Sequence, residues 1–258
     1  MFFKAVGIKE KLPISVCILV KNEEETYGGA LPPLSIFEEV LVYDSGSTDK
    51  SIDICESFGA KVIRGEWLGF PKSRKELFSL ASQPWIFWLD ADEVVTQNLS
   101  EELKVLFAQD IQADGLEINR MVFFLGKWIR HGEWFPDWNL RIFKSKDWQI
   151  VYQEVHEAVY ILGKVIRLKS TLEHHSYKDW DDRKARIIKY SDLWAKMKSS
   201  SGKTVAFGEE YLRASWRFFR AFFLKRGFLD GTVGFKIAIS IASEVIIKYK
   251  KLRMRSSK

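Results

Sequence analysis

The chain has 258 residues, 47% of them hydrophobic, and a net charge of +6 at pH 7. A sizeable core can form, but no apolar run reaches the ~18–20 residues that cross a bilayer, so a membrane-spanning helix is excluded. Two cysteines without metal-type spacing, Cys17 and Cys55, rule out a disulfide framework and read as buried thiols of a reducing compartment.

Ile14–Val20 (ISVCILV) is a short β-branched apolar run, and Val40–Tyr43 is a second that ends in Asp44-Ser-Gly-Ser-Thr-Asp49. Asp49 can cap a helix running to Phe58, which Gly59 ends. Lys61–Arg64 reads as a third strand, and Pro71 is placed for the first turn of a helix to Ala81. Trp85–Leu89 (WIFWL) is a fourth strand, apolar on both faces, ending at Asp90. Short apolar strands alternating with helices predict an α/β fold around a mostly parallel sheet with helices on both faces. Ligands then bind at the carboxyl ends of the strands. Three polar clusters fall there: Lys21-Asn22-Glu23, Asp44 with its Gly-Ser turn, and Asp90-Ala91-Asp92-Glu93.

Ser100 is expected to cap a helix running to about Gln109, and Gly115–Lys169 contains strand-like pieces and many aromatics. From Lys178 the pattern turns helical, with Ser199–Gly202 as a loop between helices. The expected division is a catalytic domain over residues 1–177 and a basic, helical region over 178–258.

Asp90 and Asp92 are spaced to point the same way from a strand or tight turn. Two such carboxylates repel, and a divalent cation, Mg²⁺ or Mn²⁺, resolves the repulsion while keeping positions for phosphate oxygens. A lone D-x-D is also what a solvated acidic loop looks like. A haloacid-dehalogenase-type phosphatase would use Asp90 as nucleophile, but there the motif follows the first strand, whereas here three strand–helix units precede it. Asp44 can accept the imide N–H of uracil or simply cap the following turn, and Asn22 and Glu23 can line a base pocket or cap the next segment.

The series ISVCILVKNEEE, EEVLVYDSGSTDKSIDIC and WIFWLDADE resembles glycosyltransferase family 2. FLGKWIRHGEWFPDWNLRIFK, Val155-His156-Glu157, HHSYKDWDD and FLKRGFLDGTVGFKIAIS resemble in particular its bacterial lipopolysaccharide-core glucosyltransferases. The resemblance covers roughly residues 14–250 and implies the Rossmann-like GT-A fold with amphipathic C-terminal helices. It implies that Asp44 contacts uracil and that Arg74 approaches the base or diphosphate. Asp90 would contact ribose or metal, and Asp92 and His174 would hold the metal. Glu157 is implied as the catalytic base, with Asp137, in Trp134-Phe-Pro-Asp-Trp138, as the competing candidate. Two departures stand out: Lys75 replaces the usual Asn, and Gly28-Gly29 with Pro32-Pro33 predicts a short or broken first helix.

Trp134 and Trp138, with Arg130 and His131, could stack sugars and pair with phosphates, or form a structural aromatic cluster. Arg141 could pair with the acidic residues or lie on the surface. Arg213–Arg226 mixes bulky apolar residues with cations, as interfacial helices do. The implied protein is an inverting hexosyltransferase moving glucose from a UDP-sugar to a lipid-linked inner-core heptose. It would work at an anionic membrane surface, on the cytoplasmic face. No nucleic-acid module is recognised, so no nucleic-acid partner is expected.

Overall fold

The computed structural model describes residues 11–26, 32–146, 148–153, 156–201 and 205–256, with the side chains of 32, 33, 152, 153, 156, 157 and 256 outside that description. Four strands form a parallel half-sheet in the order β3-β2-β1-β4: β1 (Leu12–Val20), β2 (Phe37–Asp44), β3 (Lys61–Arg64) and β4 (Trp85–Leu89). The sheet continues through β8 (Asp137–Lys144), β6 (Gly115–Phe124), β11 (Val165–His174) and β5 (Glu93–Val95), with the short β7 (Lys127–Trp128) paired to β6. β8 runs antiparallel to β4, and β9 (Trp148–Gln153) and β10 (His156–Ile161) form a separate antiparallel ribbon.

Period-two alternation sends each parallel strand into two cores. Ile14, Val16, Ile18 and Val20 of β1 join Val42, Phe87 and Leu89, together with Cys55 of α1 (Ser51–Ser57) and Leu99 and Leu103 of α3 (Gln97–Phe107). Cys17, Leu41, Tyr43, Ile86 and Trp88 point the other way, onto Leu77 and Phe78 of α2 (Phe70–Ser79). Full burial of each large aliphatic side chain contributes about 1.5–3 kcal/mol, so both faces must be covered.

α2 begins at Phe70 with Pro71 in its first turn, as expected, and α1 ends before Gly59, whose φ is +79°. The cap of α3 differs from the expectation. Thr96 rather than Ser100 is the N-cap: its Oγ1 accepts from the Leu99 N–H at 3.1 Å and donates to the Thr171 carbonyl at 3.0 Å. Ser100 is buried one turn in, because the helix must start early enough for Leu99 and Leu103 to reach the core. No long helix fills the stretch after β1 among the described residues: a turn at 24–26 and a 3-10 segment at Pro32–Ile36 flank residues outside the description.

Two compact units emerge, residues 1–120 with 138–174, and residues 121–137 with 175–258. That division differs from the boundary expected at 177/178. Val122, Phe124 and Ile129 of the β6–β7 hairpin pack with Ala221, Ile237, Ala238 and Ile241, so the hairpin's apolar residues are buried by the C-terminal helices. Those helices are α4 (Trp180–Ser200), α5 (Glu209–Phe219), a π-helical turn at Arg220–Leu224 and α6 (Gly231–Ser256). No helix among the described residues is long and apolar enough to cross a membrane.

Candidate active site

Register places the acidic motif. Val20 lies opposite Asp44, Asp44 opposite Arg64, and Ile18 opposite Leu89, so the ends of β1, β2 and β4 reach one edge together. There the backbone N–H of Asn22 donates to Ser47 Oγ at 3.0 Å, and Asn22 Oδ1 accepts from the Thr48 N–H at 2.8 Å. The Glu23 N–H donates to Ser51 Oγ at 2.7 Å. Asn22 sits at φ +57°, a left-handed turn that Asn tolerates. Asp44, 5% exposed, accepts the Ser47 N–H through Oδ1 at 2.9 Å. Within the chain these residues therefore knit two strand-end loops together, and Asp49 likewise receives the N–H groups of Ser51 and Glu24.

Asp90 is held on both carboxylate oxygens. Oδ1 accepts from Arg74 Nη1 at 2.9 Å and from Trp88 Nε1 at 2.9 Å, while Oδ2 accepts from Arg141 Nη2 at 2.7 Å. Arg141 also donates to Glu93 Oε1, which Arg120 Nη1 approaches at 3.2 Å, and Glu93 Oε2 accepts the Asp90 N–H at 2.9 Å. The Trp88 ring lies under both guanidinium groups, at 4.2 Å from Arg74 Cζ and 4.9 Å from Arg141 Cζ. Burial would raise the Asp90 pKa, but Arg141 and Arg74 hold it well below the usual carboxylate range. Glu93 moves up instead, because full burial outweighs the pull of Arg141 and Asp90 adds to the rise.

The Asp92 side chain is 35% exposed, against 26% for Asp90, and His174 Nε2 lies 3.3 Å from its Oδ2. β11 runs antiparallel to β5 with His174 opposite Glu93, which carries the imidazole from 82 residues away in sequence to the Asp92 carboxylate. Burial pushes the Asp92 pKa up, and the hydrogen bond and charge of His174 more than reverse that, so it lies below the usual value. Among the described residues no three His, Cys, Asp or Glu side chains converge as a metal-binding group. One carboxylate and one imidazole nonetheless suit a cation that takes its remaining ligands from phosphate and water, as Mg²⁺ and Mn²⁺ do. Asp90 has both carboxylate oxygens engaged within the chain, and Asp92 and His174, the two residues the family resemblance implies for a metal, lie together as a pair that could hold one.

The other expected residues fall in different places. Glu157 lies on β10 opposite Tyr152, and its side chain lies outside the described residues. Asp137 opens β8 and belongs to the second unit. Trp134 also belongs to the second unit, stacked on Tyr177 with centroids 5.2 Å apart, whereas Trp138 lies in the first under Arg167 at 4.9 Å. His131 and Arg130 are drawn to Asp230, which accepts both of their backbone N–H groups and faces the imidazole at 3.1 Å.

Sequence reasoning gave no role to Glu93, Trp88 or Arg120 and left Arg141 between two readings. The usable signal was Arg141 itself, a cation between Leu140 and Ile142-Phe143 in a strand whose neighbours are buried. A charge there needs a partner.

The family model described as Glycosyl transferase family 2 matches residues 15–165, more than half of the chain. The chain belongs to that family. It is 30% identical over 260 residues to an uncharacterized glycosyltransferase of Rickettsia typhi, covering 95% of this chain and 88% of that one. It is 27% identical to the lipopolysaccharide core biosynthesis glycosyltransferase LpsC of Rhizobium meliloti, covering 95% and 93%. The crystal structure of S. aureus TarS 1–349 in complex with UDP-GlcNAc has a similar fold, with a TM-score of 0.51 at 13% identity over 95% of this chain and 91% of that one. The protein is thus a glycosyltransferase with the expected GT-A fold, and the phosphatase reading of Asp90 falls away.

Proposed function

We propose that this protein is an inverting hexosyltransferase that moves glucose from UDP-glucose to a heptose of the lipopolysaccharide inner core, working on the inner face of the cytoplasmic membrane. The observation that carries the donor half is the Asp92–His174 pair beside the arginine-braced Asp90, at the ligand-binding edge of a parallel sheet. TarS binds UDP-GlcNAc on a similar fold, which supports a UDP-sugar donor. LpsC is named for lipopolysaccharide core biosynthesis, which supports the acceptor.

In this reading Asp44 and the Asn22–Glu23 turn border the uracil, and Arg74 stands between Asp90 and the diphosphate. The acceptor hydroxyl gives its proton to a carboxylate, Glu157 in preference to Asp137, as its oxygen forms a bond to the anomeric carbon. The bond from that carbon to the diphosphate oxygen breaks on the opposite face, so configuration inverts and UDP leaves. A divalent cation on Asp92 and His174 would supply charge neutralisation for the leaving diphosphate.

A face of α5 and the π-helical turn supports membrane association. Leu212, Trp216, Phe219 and Phe223 are exposed at helical spacing, with Arg213, Arg217 and Arg220 beside them.

The test is UDP release from a panel of nucleotide-sugars, with and without a heptose-bearing acceptor, for wild type, Asp92→Asn and His174→Ala. Metal-dependent release that falls 100-fold or more in Asp92→Asn supports the reading. Release unaffected by chelation or by either substitution refutes it.

A further inference from the structure

β3 ends at Arg64, opposite Asp44, so the loop after it leaves the sheet at the same edge as the acidic motif. That loop, Gly65-Glu66-Trp67-Leu68-Gly69, runs directly into α2 and so to Arg74, whose guanidinium holds Asp90. It thus starts beside the carboxylate placed at the uracil and leads to the cation placed at the diphosphate.

The loop is pinned along its length. The Gly65 N–H donates to the Asp44 carbonyl at 3.0 Å, and the Tyr43 hydroxyl donates to the Glu66 carbonyl at 2.9 Å. The Leu68 N–H donates to Ser73 Oγ at 3.4 Å, and Gly69 takes φ +85° to open α2. Position 65 admits only glycine, because a Cβ there would collide with the Tyr43 hydroxyl.

Although the backbone is fixed, its apolar side chains are left in water: Trp67 is 45% exposed, Leu68 48% and Phe70 54%. Single exposed apolar side chains need no explanation, but a cluster of them at a ligand edge marks a contact surface. Trp67 and Phe70 meet edge to face, with centroids 4.7 Å apart and 88° between the planes. Arg74 Cζ lies 5.6 Å from the Phe70 centroid. Phe70 therefore carries two contacts, whereas among the described residues Trp67 has no ring or cation partner but Phe70. The indole is the ring left open.

The groups at the two ends of the loop select the occupant. Asp44 can accept an imide N–H, and Arg74 can face an anionic group beyond Asp90. A flat, apolar-faced ring carrying an imide edge and joined to phosphates is a nucleoside diphosphate. Asp44, Asn22 and Glu23 meet the edge of such a base and none of them supplies a surface for its face. The loop's fixed backbone means that little ordering is lost when a ring stacks on it.

We propose that Trp67 is the stacking surface for the uracil of the donor, with Phe70 bracing the indole from the side of Arg74. The assignment rests on the reading of the protein as a UDP-sugar transferase, and it gives the face of the base a residue of its own. Stacking of a base on an aromatic side chain changes affinity about 5- to 150-fold.

The experiment is calorimetric titration of the full chain, with Mg²⁺ present, by UDP and by 5,6-dihydro-UDP. The reduced base keeps the imide edge but is puckered and no longer aromatic, so it loses stacking alone. Wild type should bind UDP at least fivefold more tightly than the reduced analogue. Trp67→Ala should weaken UDP at least fivefold, change the analogue less than twofold, and so abolish the preference at an unchanged melting temperature. Trp67→Phe should restore most of it. Phe58→Ala removes another exposed ring, after α1 where the chain turns back toward the start of β3, and should leave both affinities unaltered. Undiminished UDP binding in Trp67→Ala overturns the proposal and leaves the donor reading standing. Equal weakening of UDP and the analogue in Trp67→Ala also overturns it, since that would mark a structural role for the loop. Failure of wild type to bind UDP at all refutes the donor reading and the stacking assignment with it.

Discussion

Replacing Arg141 with leucine should be among the most destabilising single changes in the first unit. The side chain is 3% exposed and ties Asp90 Oδ2 to Glu93 Oε1 while lying over Trp88. Leucine keeps most of the apolar volume and removes the charge. Glu93, with no exposed side-chain surface, would keep the 3.2 Å contact with Arg120, and Asp90 its contact with Arg74, as ion-pair partners among the described residues. Removing one partner of a buried ion pair costs about 3–5 kcal/mol, because the remaining charge is left buried without compensation. At ~2–4 °C per kcal/mol for a unit of this size, the first unit should melt about 6–20 °C lower. Arg167→Leu is the control. Its pair with Glu117 is largely exposed, and exposed pairs contribute about 0–1 kcal/mol. Differential scanning fluorimetry and urea unfolding followed by tryptophan emission both read the difference. If Arg141→Leu melts within ~2 °C of wild type, or no lower than Arg167→Leu, the buried network is not what holds the strand ends.

Asp92 should make an acid-sensitive contribution to stability. Its folded pKa lies below the ordinary 3.8, so the contribution is fully present above that value and is lost as pH falls through the folded one. Wild type should therefore exceed Asp92→Asn in melting temperature at pH 6, with the gap closing toward pH 3; a constant gap would refute the pairing with His174. Gly234→Ala should disrupt the second unit, since an added Cβ would lie 1.9 Å from the Gly227 carbonyl oxygen inside a helix packed against that turn. Overpacking of this kind costs about 1–3 kcal/mol. Thermal unfolding should show it, and an unshifted melt would mean α6 slides without cost.

Much of the first unit was legible because its signals are local. β3 and β4 have the predicted bounds, and β2 ends at Asp44, because apolar runs and the turn residues after them are contiguous in the chain. The mostly parallel α/β sheet followed from that alternation of strands and helices, its GT-A character from the family resemblance, and the position of Asp90 and Asp92 at the ligand edge from the order of the strands. The start of α3 was misread because Thr96 and Ser100 are equally able to cap, and only the depth of Leu99 and Leu103 in the core selects between them.

What tertiary structure decided lies where charges meet across distance. Arg141 and Glu93 are 48 residues apart, and His174 lies 82 residues beyond Asp92. The first meeting leaves no linear trace, since the energy that fixes it comes from removing both groups from water together; the second was expected only from the family resemblance. The same holds for the 121–137 segment, whose apolar residues are buried by helices a hundred residues later. The acidic pair itself was written in the sequence. That Arg74 and Arg141 engage both oxygens of Asp90 was settled only when the strands closed around them.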